Sequence, residues 1–132
     1  MEYFNLEEFS RSATAIKLGI DNTIPEHIVP AIKELVDNVL DPLRRAWGRP
    51  LVISSGYRCP ELNRAVGGAP TSHHLRGMAA DINTGNLVDN RRLFQMILDL
   101  KLPFTQLIDE SGFSWVHISY EPGNIKHQVL KL

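Results

Sequence analysis

Two histidines and an aspartate carry the most chemistry in this sequence: His74, Asp81 and His117. Neutral imidazole and ionised carboxylate are ordinary zinc ligands. Three protein ligands leave a fourth position open, which separates a catalytic zinc site from a structural one. His74 and Asp81 stand seven residues apart with Gly77 between them, too far for one helical turn. That spacing suits one ligand at the end of a loop and a second on a strand entered after a tight bend. Gly77 can supply the bend through a positive φ, or let backbone pass closely. Ala79–Asn83 reads as a buried strand presenting Asp81 to one face. Trp115–Tyr120 is β-type, with Trp115, His117 and Ser119 on one face and Val116, Ile118 and Tyr120 on the other. His117 on an adjacent strand could then meet Asp81. On spacing alone, this stands level with the alternative that the three are surface or hydrogen-bonded core groups.

Other polar residues have two readings each. Arg58 follows a core strand, where it can donate to a substrate carboxylate or to an oxyanion. Spacing alone favours a salt bridge with Glu61 instead. Glu110 precedes the bend at Gly112 and His117 follows it, so a carboxylate could reach a metal-activated water and take its proton. The alternative is a solvent-exposed turn acid. Ser72 either bonds substrate or holds its loop. His73, next to His74, reads as a rim residue or a donor behind the ligands, not as a ligand. His27 and His127 read as surface residues, and Trp115 either packs over the site or, the favoured reading, supports the core. Cys59 is a small, partly buried residue beside Pro60 with no base partner, and a single cysteine excludes an intrachain disulfide.

The run Ser72-x-His74-x-x-Gly77-x-Ala79-x-Asp81, with Trp115-Val116-His117 later, resembles the signature of the zinc D-Ala-D-Ala carboxypeptidase family. That family includes bacterial D,D-dipeptidases and phage L-alanyl-D-glutamate endolysins, and shares its fold with the hedgehog signalling domain. Ser55-Gly56-Tyr57-Arg58-Cys59-Pro60-Glu61-Leu62-Asn63 resembles the family's upstream Ser-Gly-Tyr-Arg-Ser-Pro block. The matched blocks run from about Leu51 to Tyr120.

The resemblance implies an α+β fold, a mostly antiparallel sheet flanked by helices, hedgehog/D,D-peptidase-like. It implies Zn2+ held by His74, Asp81 and His117, Arg58 facing the substrate, and Ser72 in contact with it. The implied substrate is a peptidoglycan stem peptide, cut at D-Ala-D-Ala or between L-Ala and D-Glu by a phage-type, prophage-type or bacterial wall-remodelling enzyme. Dipeptidase-like members carry their base three residues before the last histidine. Here that position is Ser114, which cannot do the job. The hedgehog-like arrangement places a glutamate at the end of the preceding strand, as Glu110 is. Glu110 is therefore the expected base, with Asp109 in reserve. A non-catalytic zinc-bearing binding module of hedgehog-like fold is the alternative.

Composition bounds the rest. At 132 residues, 43% hydrophobic and 22% charged, the chain is expected to form one globular domain over residues 1–132. A net charge of −1 without a long basic run disfavours nucleic acid as a partner. No apolar run is long enough to span a bilayer, and no signal peptide is visible at the N-terminus. Synthesis in the cytoplasm is expected, with release or export needed to reach a cell wall. Nothing demands a dimer, so a monomer is expected.

The supporting elements follow from periodicity. Asn5 can cap a short helix, and Phe4, Phe9, Ile16 and Leu18 are expected to cover one side of the core. Pro25 to Trp47 is helical, with Pro42 either kinking it near Asn38 or marking a restart capped by Asp41. Leu51–Ser54 is expected as a buried strand, and Pro60 as the start of a helix through Ala65. Leu87 to Lys101 returns to helical spacing, capped by Asn86 or Asp89. Thr105–Ile108 is a strand, Asp109–Gly112 a turn, Phe113–Tyr120 a strand, and His127–Leu130 a last edge strand.

Overall fold

The computed structural model describes residues 1–132. Five strands form one sheet: β1 (Val52–Ser55), β2 (Ala79–Asn83), β3 (Gln106–Glu110), β4 (Trp115–Ser119) and β5 (Gln128–Lys131), in the order β1-β2-β4-β3-β5. Every neighbouring pair is antiparallel except β3 and β5. With helices packed on it, this is the α+β architecture the sequence led one to expect. Period-two alternation assigns the faces. Ala80, Ile82, Leu107, Val116 and Ile118 are fully buried in the core, whereas Asp81, Ile108, Glu110 and His117 line a cleft on the opposite face.

Two strand expectations need correction. The first strand is not buried on both faces: it lies at the sheet edge, with Val52 62% exposed and Ile53 turned inward. The turn between β3 and β4 falls later than Asp109–Gly112. Asp109 and Glu110 still pair with Val116 and Trp115, so the turn is residues 111–114. Asp109 closes it by accepting a hydrogen bond from the Phe113 N–H at 2.6 Å. Ser111, Gly112 and Phe113 all adopt positive φ there.

Helices α1 (Leu6–Ser10), α2 (Ala13–Leu18), α3 (Val29–Leu35), α4 (Asp41–Trp47), α5 (Pro60–Ala65) and α6 (Leu87–Asp99) complete the chain. Asn5 and Glu8 form a reciprocal capping box on α1, and Asn86 caps α6. The irregularity expected of Pro42 comes around Asn38 and not as a restart capped by Asp41. One wider π-type turn, Val36–Leu40, joins α3 to α4. Such a turn absorbs local mismatch in the backbone ladder without ending the helix. Asn38 Nδ2 donates to the Glu34 carbonyl at 2.8 Å. The buried Asp41 carboxylate instead accepts the N–H groups of Glu2 and Tyr3, clamping the start of the chain.

The α3–α4 segment buries Ile32, Leu35, Val36, Val39, Leu40 and Leu43 completely. Each such side chain contributes about 1.5–3 kcal/mol relative to exposure. Phe4 and Phe9 join this core, but Ile16 (79% exposed) and Leu18 (56%) do not. Ala15 is the α2 residue turned inward, which leaves Ile16 and Leu18 on the outer side of a six-residue helix.

Candidate metal centre

Strand register brings two of the expected ligands together. Asp81 on β2 stands directly opposite His117 on β4. Such cross-strand pairs hold their Cβ atoms about 4.5–5.5 Å apart. His74 comes from the 3₁₀ turn His73–Arg76. Ser72 Oγ caps that turn by accepting the His74 N–H at 3.2 Å, and Gly77 ends it at φ +70°. Gly77 is required twice over, because a Cβ there would also lie 2.6 Å from Ile28 Cγ2.

One nitrogen each from His74 and His117 and one Asp81 oxygen lie within 4.8 Å of one another, and all three residues are buried. Asp81 Oδ1 is 3.0 Å from His117 Nδ1 and 3.4 Å from His74 Nε2. A tetrahedral site with bonds near 2.0–2.1 Å has ligand–ligand edges of about 3.3 Å, so both distances fit a shared ion.

The state of His74 is decided by its neighbour. His74 Nδ1 lies 2.7 Å from the Gly56 carbonyl, which only accepts, so Nδ1 carries the hydrogen. Nε2 then holds a lone pair facing Asp81, and it is a buried side-chain nitrogen without a hydrogen-bond partner. Two electron-rich atoms at that distance suit a cation held between them. The donor set of two imidazoles and one carboxylate therefore fits a zinc-type ion. Burial pushes the Asp81 carboxyl up, but the facing imidazoles, His117 at hydrogen-bond distance above all, outweigh it and leave the group well below the usual carboxylate range. That is the ionised form a metal ligand needs.

Around this triad runs a cleft of about 570 Å3. Arg58, Ser72 and Glu110 all line it. Arg58 does not pair with Glu61. Its guanidinium reaches Ser55 Oγ (3.1 Å), Asn63 Oδ1 (3.3 Å) and Asp81 Oδ2 (3.5 Å). Burial lowers the Arg58 pKa, and the charges of Asp81 and Glu110 oppose that. Burial raises the Glu110 pKa, and Asp81 adds to the rise by like-charge repulsion. Asp109 is absent from the cleft: it is buried and engaged with the turn. His73 lines the rim, its pKa lowered by burial and by Arg76. Trp115 belongs to the cleft wall and not to the core, contrary to expectation. His27 and His127 are exposed.

A family model described as Peptidase M15 matches residues 2–119. The chain belongs to the M15 peptidase family. Its members are zinc D-Ala-D-Ala carboxypeptidase-like metallopeptidases acting on peptides, and the His74–Asp81–His117 group fits the metal such an enzyme uses. No curated protein sequence matches the chain. No helix is long and apolar enough to cross a membrane.

Some parts of this M15 site escaped sequence reasoning. The Gly56 carbonyl that orients His74 leaves no signal in residue type, because any residue has a carbonyl. Asn63, 3% exposed and bonded to Arg58, closes the Ser55–Asn63 block, but its residue type gave it no role there. The Gly67–Gly68–Ala69 wall of the cleft carries no polar side chain that could signal it.

Proposed function

We propose that this M15 chain is a zinc-dependent hydrolase of peptidoglycan stem peptides, cutting at D-Ala-D-Ala or between L-Ala and D-Glu. The observation that carries the proposal is the unpartnered His74 Nε2, aimed at Asp81 beside His117, in the same cleft as Glu110 and Arg58. His74, Asp81 and His117 would hold the ion through Nε2, Oδ1 and Nδ1. Zinc, when bound, supplies Lewis acidity that polarises the scissile carbonyl and acidifies water.

The chain's own groups do the rest. Glu110, poised by its raised pKa, takes the proton of the attacking water and delivers it to the leaving amine as the C–N bond breaks. Asp109 is spent on the turn, and Ser114 Oγ donates to the Ser111 carbonyl, so neither competes for this role. Arg58 donates to the oxygen that gains negative charge or to a substrate carboxylate. Ser72 holds the His74 turn and offers its hydroxyl at the cleft wall to substrate.

Mass spectrometry of muropeptides, before and after treatment with zinc-loaded protein, tests the proposal and names the bond by product mass. Glu110→Gln should lower turnover by about 10²–10⁴-fold while keeping metal stoichiometry. A wild-type protein that binds one zinc and releases nothing would refute it in favour of the non-catalytic binding module.

A further inference from the structure

Arg58 is the one guanidinium in the cleft, and its orientation depends on a residue outside the ligand set. A guanidinium has five N–H donors in a rigid fork, so the acceptors it meets determine which edge remains free. Three donors are taken: Nε by Ser55 on β1, Nη2 by Asp81 on β2, and Nη1 by Asn63 on α5. Ser55 and Asp81 lie on the sheet. Asn63 is the acceptor from the other wall.

The Asn63 amide has a definite orientation. Its Nδ2 donates to the Ala69 carbonyl at 2.9 Å, and its Oδ1 accepts from Arg58. A carbonyl only accepts and a guanidinium only donates, so the flipped amide would lose both bonds. The backbone adds a third tie, from the Gly68 N–H to the Asn63 carbonyl at 2.9 Å. Gly68 is closely fitted: a Cβ there would fall 2.1 Å from Asn63 Oδ1 and 3.0 Å from Arg58 Nη1. Arg58, Asn63 and Gly68 thus form one packed unit, and Gly67, Gly68 and Ala69 all line the cleft.

We infer that Asn63 is the positioning residue for Arg58, and that through one side-chain amide it fixes both the free edge of the guanidinium and the Gly67–Ala69 wall that faces substrate. The inference rests on the substrate-facing role proposed for Arg58. Aspartate cannot replace Asn63, because a carboxylate oxygen would face the Ala69 carbonyl. Nor can alanine replace Gly68 without displacing the amide.

The test has two readouts. In the metal-loaded full chain, the ¹⁵Nε–¹Hε signal of Arg58, assigned by its loss in Arg58→Lys, should be sharp and slowly exchanging. Asn63→Ala should shift it and speed its exchange, and so should Gly68→Ala, which perturbs the unit from the loop and keeps the amide. Zinc stoichiometry should hold in both. On muropeptide substrate, Asn63→Ala should lower kcat/KM by about one to two powers of ten. The same change in an Arg58→Ala background should cost much less than in wild type, because only the hold of Asn63 on the Gly67–Ala69 wall is then lost.

An Arg58 signal unchanged in both variants, or effects on kcat/KM that simply add, overturns the inference. A wild type that cleaves no muropeptide overturns the hydrolase reading and leaves the resonance test of Asn63 standing.

Discussion

Replacing Gly77 by alanine tests how the metal site is built. Gly77 joins the turn carrying His74 to the strand carrying Asp81, at φ +70°. An L-residue in the left-handed region costs about 1–2 kcal/mol. The added Cβ would also meet Ile28 Cγ2 at 2.6 Å and Ile32 Cγ1 at 2.9 Å, well inside contact distance. Overpacking of this kind costs about 1–3 kcal/mol. Together the two effects give roughly 2–5 kcal/mol, a large part of the roughly 5–15 kcal/mol by which domains are stable. In the metal-free protein, thermal denaturation followed by circular dichroism should show a Tm lower by roughly 10 °C or more. Zinc affinity, read by competition with a chelating dye, should fall by about tenfold or more, since the turn that aims Nε2 is displaced. Trimming the half-buried Ile28 to alanine in the Gly77→Ala background removes the closer clash and leaves that with Ile32, so part of the Tm should return and the dihedral part should not. A Gly77→Ala protein that melts within about 2 °C of wild type and binds zinc normally would refute this account.

Two further outcomes follow from the same geometry. Metal-free Glu110→Gln should be more stable than wild type at neutral pH: the folded-state pKa of Glu110 is raised, so the native state loses stability as pH rises from the unfolded-state value through the folded one. The gain should shrink to nothing as pH drops below the ordinary glutamate range, and an equal gain at acid pH would contradict it. His74→Ala should abolish stoichiometric zinc binding, measured by elemental analysis, and leave the fold intact by circular dichroism, because His74 stands on a turn outside the hydrophobic core. Retention of one zinc per chain would rule out the ligand set.

The elements that carry the site were legible from the chain itself, whereas residue types and spacing left the ligand set level with a structural reading until the resemblance to the zinc carboxypeptidase family tipped it. Gly77 announced the bend, Ala79–Asn83 the buried strand, and alternation in Trp115–Ser119 placed His117 opposite the core residues Val116 and Ile118. The helices were legible too, from apolar periodicity and from caps such as Asn5 and Asn86. What periodicity could not decide was which partner each polar group would meet. Asp41 could have capped a helix, but holds the chain's start. Arg58 could have met Glu61, but meets Ser55, Asn63 and Asp81. Asp109 and Glu110 are neighbours in sequence, yet the period of two along β3 sends one to the turn and the other to the cleft. Ile16 and Leu18 are as apolar as any core residue, and remain outside because α2 turns only Ala15 inward. Local sequence determines which backbone shapes are allowed and which donors are available. Long-range pairing alone determines where they converge, because the Asp81–His117 register, the Gly56 carbonyl behind His74 and the Asn63 amide beside Arg58 join residues that no local pattern links.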